Sequence, residues 1–410
     1  MDFKAALYKR LVKYVKIDTQ SDDNSQTFPS TKKQLVLLKL LAAELRGMGA
    51  KGVKLDKYGY VTAELPATIK GKKPVVGFLA HVDTSPAISG LGVKPQLHKA
   101  WKGGDIVISR KHGLVLNTKN CPELAGCRGE DIVTGSGDTL LGADDKAGLA
   151  IIMTVAEYLL KHKEIPHGTL KLGFTPDEEV GQGVKFFNVK AFGADLAYTV
   201  DGDLAGGVEE ENFNADGVKI VVTGKSVHPG SAKNAMANAA RIAADIVASW
   251  PENLLPETTE NREGFIMFTD ISGETEKAEM SGIVREHDLK KLKGMERQLE
   301  AVVAAKRLKY PLAKIGLTFT EQYRNMREVI VKHPEIMGKL MTAVKQAGLV
   351  PHVKPVRGGT DGARLSFMGL PTPNVFTGGY NYHGRYEWVS LDGMNKSAEV
   401  LINLAQEWAK

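Results

Sequence analysis

The feature that most restricts the fold is an apolar run within KPVVGFLAHVD, residues 73–83. A strand with one wet face alternates apolar and polar residues, whereas this segment stays apolar from Val75 to Ala80 and is typical of a strand buried on both faces. Two further segments, LKLGFT (170–175) and LAYTVDGD (196–203), also resemble strands, and helical patterns lie between them. This alternation predicts an α/β fold with a mostly parallel sheet flanked by helices.

Helical patterns accompany these strands. Leu7, Leu11 and Val15 lie at helical spacing and predict a first helix, and a second is predicted from about Thr31 to Arg46. The segment TLLGADDKAG begins a helix that is apolar nearly all round and is therefore expected to be buried. A short helix is also predicted near GVKFFNV (183–189), whereas residues 92–137 are predicted to be irregular.

The order of predicted elements changes after about residue 205. It becomes β-α-β-β-α-β, which is the order of a ferredoxin-like split βαβ unit. The segments are GVKIVVTGKS, NAMANAARIAADIVASW, GFIMFTDIS, KAEMSGIVRE, DLKKLKGMERQLEAVVAAKRL and KIGLTFTEQY. Because α/β elements resume at about residue 325, we predict a discontinuous catalytic domain (1–205 and 323–410) and an inserted α+β domain (206–322).

Composition excludes several classes of protein. The 54 Lys and Arg are interspersed with the 48 Asp and Glu, so the net charge of +6 does not indicate a nucleic-acid-binding arm. The longest nearly apolar run, Leu149 to Leu160, is too short to span a bilayer. The chain has two cysteines and no signal-peptide pattern, which predicts a cytoplasmic protein with neither nucleic acid nor membrane as partner.

Acidic and histidine side chains recur where a predicted strand ends or a predicted helix begins. They are His81, Asp83, Asp144, Glu178, Glu179, Asp201 and His383. Taken singly, each has an ordinary explanation as a turn residue, a helix cap or part of a solvated face. In open α/β sheets, however, ligands bind beyond the carboxyl ends of the strands. Their shared position therefore favours a common site.

The residue types in this set suit a metal centre. Imidazole and carboxylate ligands suit zinc, with cobalt or manganese as possible substitutes. Two divalent ions about 3.5–4 Å apart can hold a carbonyl and a bridging water. Glu178, which is adjacent to Glu179, would then be a general base. Asp83 would accept the second imidazole N–H of His81 and fix its tautomer.

The motifs that contain these residues resemble those of the M20 family of di-zinc metallopeptidases. The segments are IDTQS, HVDTSP, GADDKAG, FTPDEEVG, YTVDG, ENFNA, VHPG, NMRE, RGGTDGARLSFMGLP and FTGGYNYHG, from near residue 17 to about 384. The resemblance implies a zinc-peptidase-like catalytic domain. It also implies that the inserted domain serves as a lid and as the contact in a homodimer.

The resemblance also implies a role for each residue. It makes Asp83 the orienting acid and Glu178 the proton acceptor, and it makes the Asp144–Asp145 peptide bond cis. It implies two zinc ions per subunit with Asp144 as a shared ligand. The first ion would be held by His81, Asp144 and Asp201, and the second by Asp144, Glu179 and His383.

Two substrate-binding residues follow from the same resemblance. His228 would stabilise the oxyanion from the inserted domain, and Arg357 would pair with the substrate carboxylate. The alternatives are a turn histidine before Pro229 and an arginine in a structural salt bridge.

The implied activity is removal of the N-terminal residue from tripeptides by a zinc-activated water. An Asp at position 201, where related carboxypeptidases and deacylases tend to carry Glu, favours an aminopeptidase acting on small peptides with a free N-terminus. The alternatives are another M20 hydrolase (a dipeptidase, carboxypeptidase or N-acyl deacylase) and a non-catalytic metal-binding or peptide-binding protein. A nucleotide-binding oxidoreductase is disfavoured because GSGDTLLG lacks the G-x-G-x-x-G spacing.

Overall fold

The chain forms two compact units in a computed structural model that describes residues 1–203 and 205–410. The first unit comprises Met1–Glu210, Glu328–Lys354 and Thr360–Lys410. The second unit comprises Glu211–Arg327 and Pro355–Gly359. Within the described ranges, no helix is both long enough and apolar enough to cross a membrane.

Helices occur in both units. The α-helices of the described residues are α1 (Lys4–Val15), α2 (Gln34–Met48), α3 (Ala143–Lys161), α4 (Val189–Phe192), α5 (Ala239–Val247), α6 (Leu289–Lys309), α7 (Arg327–Ile330), α8 (Pro334–Gln346), α9 (Asp361–Phe367) and α10 (Leu391–Glu407).

The strands form four sheets across the described residues. They are β1 (Lys51–Leu55), β2 (Val61–Leu65), β3 (Val76–His81), β4 (Gln96–His98), β5 (Ile106–Ser109), β6 (Leu114–Leu116), β7 (Ile132–Thr134), β8 (Leu170–Thr175), β9 (Leu196–Gly202), β10 (Gly207–Glu209), β11 (Asn214–Thr223), β12 (Phe265–Gly273), β13 (Lys277–Glu286), β14 (Lys314–Tyr323), β15 (His352–Val353), β16 (Asn374–Phe376), β17 (Gly379–Tyr380) and β18 (Trp388–Ser390).

The largest sheet of the first unit is mixed and mostly parallel. Its order is β1-β2-β8-β3-β9-β16-β10-β15. Strand β3 pairs in parallel with β8 and β9, β9 pairs in parallel with β16, and β10 pairs in parallel with β15. The antiparallel pairs are β1 with β2, β2 with β8, and β10 with β16. The predicted α/β class, with a mostly parallel sheet and flanking helices, is confirmed.

Strand β3 is the buried strand that the apolar run predicts. All six of its residues are buried, and the strand lies between β8 and β9 in the interior of the sheet. His81 is its last residue and pairs with Thr175, the last residue of β8. The segment after β8 therefore emerges beside His81, at the carboxyl edge of the sheet.

The second unit has an antiparallel sheet of order β12-β13-β11-β14. Helices α5 and α6 pack on one face of this sheet, and Ile220, Met280 and Leu299 belong to the core between the layers. The chain order β11-α5-β12-β13-α6-β14 confirms the predicted ferredoxin-like arrangement.

Two local predictions are wrong. Residues 183–186 form turns, and a single helical turn, α4, begins only at Val189 because the Asn188 side chain accepts the Ala191 N–H and caps it there. Residues 92–137 are not irregular throughout, since they contain β4 to β7. Strand β7 pairs with β18, and this pairing joins residues that are far apart in the sequence.

A short late segment, Pro355–Gly359, belongs to the second unit rather than to the first. The Val356 N–H donates to the Glu211 carbonyl (2.8 Å), and the Phe213 N–H donates to the Val356 carbonyl (3.2 Å). These hydrogen bonds place Arg357 on the second unit, which its position in the sequence does not indicate.

Candidate metal centre

The predicted ligands of the first unit converge at the carboxyl edge of its large sheet. His81 ends β3, and Asp201 lies near the end of the neighbouring strand β9. Asp144 lies at the start of α3, and Glu179 lies in the turn that follows β8. These positions come together because parallel strands end at the same edge of a sheet.

Asp144 lies between the two histidines. Its Oδ1 is 2.9 Å from His81 Nε2, and its Oδ2 is 3.1 Å from His383 Nε2. His81 Nε2 is also 3.5 Å from Asp201 Oδ1, and His383 Nε2 is 2.8 Å from Glu179 Oε2. All five predicted ligands therefore form one continuous cluster.

Asp83 connects His81 to the acidic turn. Its fully buried carboxylate accepts the backbone N–H groups of Glu178 (3.0 Å) and Glu179 (3.1 Å). His81 Nδ1 lies 3.1 Å from the Asp83 backbone carbonyl and 3.3 Å from its Oδ1. We expected the Asp83 carboxylate alone to orient the His81 ring, but His81 Nδ1 contacts both the carboxylate and the backbone carbonyl of Asp83.

Asp177 is the first of the three consecutive acids at positions 177–179, and it does not lie on a solvated face. Its buried carboxylate accepts the Ser30 N–H (2.6 Å), the Ser30 hydroxyl (2.5 Å) and the Gln34 amide (2.6 Å). Its φ of 59° lies in the left-handed region, which turns the chain sharply before Glu178. No local sequence pattern indicates this role, because the partners of Asp177 lie more than 140 positions away.

Asp145 is a buried acid that was not among the predicted ligands. It lies close enough to His81 and Asp201 to share an ion with them. Its two oxygens, however, already accept the His81 N–H (3.2 Å) and the Gly148 N–H (3.0 Å). These contacts indicate a structural acid beside Asp144. The peptide bond between Asp144 and Asp145 is cis, as the resemblance implies.

Burial dominates the electrostatics of the acids. It raises the pKa of Glu178 well above its usual value, although the charge of His81 opposes this. It likewise raises the pKa of Glu179 to about 8 and that of Asp201 to about 6. Crowded carboxylates that leave water favour the neutral form unless a cation compensates them.

The histidines show the complementary effect. Hydrogen bonds to Asp144 and Glu179 raise the pKa of His383 to about 11. Burial opposes ionisation of Asp144, but His383 and His81 lower its pKa below the usual value. Protons on the histidines thus provide positive charge that divalent ions would also provide, and metal binding would release these protons.

The cluster fits divalent cations chemically. Glu179 Oε1 is buried and has no hydrogen-bond partner among the described residues. Such an oxygen is costly to leave without a partner, whereas a cation would satisfy it. Oxygen and imidazole ligands suit zinc, manganese or cobalt. The three acids of the cluster, Asp144, Glu179 and Asp201, also outnumber its two histidines.

The two predicted substrate-binding residues lie on the second unit. His228 is exposed, and its Nδ1 accepts the Gly230 N–H (3.1 Å) at the start of a helical turn. Arg357 donates to the backbone carbonyls of Asn261 (3.0 Å) and Glu263 (2.9 Å). It also lies over the ring of Phe213. The roles of His228 and Arg357 in substrate binding therefore remain predictions.

Comparison with known proteins identifies the family of the chain. The sequence model of peptidase family M20/M25/M40 matches residues 140–407. The chain is 47% identical over 402 residues to Peptidase T of Caldanaerobacter subterraneus, and the match covers 98% of both chains. The chain belongs to peptidase family M20. The resemblance seen in its motifs is therefore confirmed.

Solved structures of M20 peptidases share the fold. The aminopeptidase PepT of Bacillus cereus has a TM-score of 0.77, 22% identity and 99% coverage of both chains. A dinuclear metal-binding M20 peptidase of Bacillus subtilis has a TM-score of 0.64, 14% identity and 98% coverage of both chains. These likenesses confirm the zinc-peptidase-like fold of this M20 peptidase.

Proposed function

We propose that this M20 peptidase is a metal-dependent aminopeptidase that removes the N-terminal residue from tripeptides. The observation that carries the proposal is the position of Asp144 between His81 and His383, with Glu178 in the turn beside them. The near full-length similarity to Peptidase T supports the choice of activity within the family.

The residues of the cluster would hold two divalent ions, which we propose to be zinc. Asp144 would be shared between His81 and Asp201 on one side and Glu179 and His383 on the other. When bound, such ions supply Lewis acidity and lower the pKa of a water molecule.

In this proposal Glu178 would move the proton. Asp83 fixes the backbone of Glu178, and burial raises the pKa of the Glu178 carboxyl well above its usual value. Beside divalent ions, which favour the ionised form, the Glu178 carboxylate would take a proton from the attacking water and donate it to the leaving amine. His228 would donate to the developing oxyanion.

The remaining parts of the proposal rest on the family resemblance and on composition. The second unit would act as a lid and as the contact in a homodimer, and the substrate would need a free N-terminus. Both cysteines are free, which fits a reducing cytoplasm.

A panel of matched peptides tests the proposed activity. We expect chelator-sensitive release of the first residue from an unblocked apolar tripeptide. The N-acetylated tripeptide and the matching dipeptide should be cleaved at least about tenfold more slowly, which is a difference of about 1.4 kcal/mol in transition-state binding. Cleavage of the acetylated form, or equal cleavage of the dipeptide, would assign the protein to another M20 activity.

The role of Arg357 toward the substrate carboxylate gives a separate prediction. For Arg357→Lys, we expect KM for the free tripeptide to rise about 10-fold or more, because a lysine cannot make the bidentate contact. KM for the C-amidated tripeptide should change little. Steady-state kinetics on both substrates measure the difference.

The observed contacts of Arg357 define the alternative to substrate binding, which is a purely structural role. Its guanidinium already binds the carbonyls of Asn261 and Glu263. If Arg357→Lys lowered the unfolding temperature and left both KM values unchanged, Arg357 would be structural only. Arg262→Lys is a matched control, because Arg262 pairs with Glu211 on the same unit (2.5 Å).

A further inference from the structure

Glu387 is a buried carboxylate that neither the sequence analysis nor the proposed mechanism uses. It is 1% exposed and lies four residues after His383, at the start of β18. A buried carboxylate requires several hydrogen-bond donors or a nearby cation. The partners of Glu387 therefore indicate what the side chain does.

All three donors to Glu387 belong to the segment that carries Asp144. Its Oε2 accepts the backbone N–H groups of Leu141 (2.7 Å) and Gly142 (2.8 Å). Its Oε1 accepts the N–H of Asp144 itself (3.1 Å). Leu141 and Gly142 lie just before α3 and Asp144 lies in its first turn, where backbone N–H groups have no acceptors within the helix.

The carboxylate also joins two ligand segments that are distant in the sequence. Leu141 and Glu387 are 246 positions apart. His383 lies on the same loop as Glu387, and its side chain is 48% exposed, so little packing holds the ring in place. The other end of this loop is tied by Tyr382, whose hydroxyl lies 2.8 Å from the Thr377 hydroxyl.

Glu387 also interacts electrostatically with a buried lysine. Lys146 is fully buried, interacts electrostatically with Glu387, and donates to the Ile17 carbonyl (2.8 Å). Burial nevertheless raises the pKa of Glu387 to about 7, so the three backbone hydrogen bonds, rather than a paired cation, hold the carboxylate in place. This is a fixed anchor rather than a group that exchanges with solvent.

From these contacts we infer that Glu387 is a positioning residue of the metal centre. It holds the backbone of Asp144 and the loop of His383 in one arrangement, so that the Asp144 carboxylate lies between the two histidines. Partners that orient metal ligands in this way commonly affect metal affinity by about 10–100-fold. The inference rests on the proposed function only in taking the cluster as a metal centre.

Glu387→Gln tests the inference with little change of shape. A glutamine has one acceptor oxygen, so its amide N–H₂ must face at least one of the three backbone N–H groups. We expect the apo protein to bind Zn²⁺ or Co²⁺ about 10–100-fold more weakly, measured by calorimetry or equilibrium dialysis. The visible absorption spectrum of the Co²⁺ form should also change at saturating metal, because the ligand geometry changes.

Two further variants, Glu387→Asp and Glu399→Gln, test whether the loss of metal affinity is specific to Glu387. The aspartate keeps the charge but shortens the reach, so an intermediate loss of affinity is expected, and this variant also serves if Glu387→Gln does not fold. Glu399 binds the N-terminal ammonium (2.9 Å) and Lys396 (3.0 Å) on the same unit, and its variant should keep wild-type metal affinity.

Two outcomes would overturn the inference. In the first, a folded Glu387 variant has a lower unfolding temperature but wild-type metal affinity and an unchanged Co²⁺ spectrum, which would make Glu387 structural only. In the second, the wild-type protein itself binds no divalent ions, and the metal centre of the proposed function fails as well. The wild-type measurement therefore separates the two failures.

Discussion

Replacing Glu178 by glutamine is expected to lower kcat for the tripeptide by about 10²–10⁴-fold, the usual contribution of a general acid–base. The amide has the same shape as the carboxyl group but cannot take a proton from water at neutral pH. The Glu178 N–H would still donate to Asp83, so the turn should keep its conformation. Steady-state kinetics measure kcat, and calorimetry measures metal binding.

The pattern of losses distinguishes a base from a ligand. Metal affinity should stay within about threefold of the wild-type value, since we assign the ligand role to Glu179 and not to Glu178. Glu64→Gln is the matched control, because Glu64 lies on the same unit and pairs with Lys171 at the surface (2.6 Å). Turnover retained in Glu178→Gln would remove Glu178 from the base role, and a lost metal ion would make it a ligand.

The second large effect is expected for Asp144→Asn. Asp144 contacts both His81 and His383, so its loss should weaken both ion sites rather than one. We expect affinity to fall by more than the roughly 10–100-fold that changes to outer partners cause, with activity falling in parallel. Metal content after equilibrium dialysis, measured at several free-metal concentrations, gives both affinity and stoichiometry.

Variants of ligands that we assign to only one ion show whether Asp144 is shared by both. Asp201→Asn should weaken one ion and leave the second, and His383→Ala should do the reverse. Asp138→Asn is the control. Asp138 is an exposed acid that precedes α3 in the sequence, and it pairs with His112 (2.8 Å). If Asp144→Asn lost only one ion, Asp144 would not be a shared ligand.

The sequence predicted the fold class because the relevant signals are local. The apolar run at β3 requires burial on both faces, and its neighbours repeat the pattern. The order of elements in the second unit is likewise readable from alternation and helical periodicity. The helix predicted near residues 183–189 failed because Asn188, a local cap, sets its start later.

The candidate ligands were also predictable, because strand ends in an α/β sheet meet at one edge. His81 and Asp201 follow from that rule alone. The location of Arg357 did not follow, since five residues of the late segment pack with a unit that is otherwise formed by residues 211–327. No local pattern distinguishes such a segment from its flanks.

The sequence by itself therefore determined which strands are buried, where they end and which ligand types stand there. Only the tertiary structure decided what holds those ligands in place. Asp83 accepts from Glu178 95 positions away, Asp177 accepts from Gln34 143 positions away, and Glu387 accepts from Asp144 243 positions away. The physical reason is that a buried carboxylate must be hydrogen-bonded, and its donors come from the segments that the fold brings next to it. The spacing of residues along the chain does not indicate which segments these are.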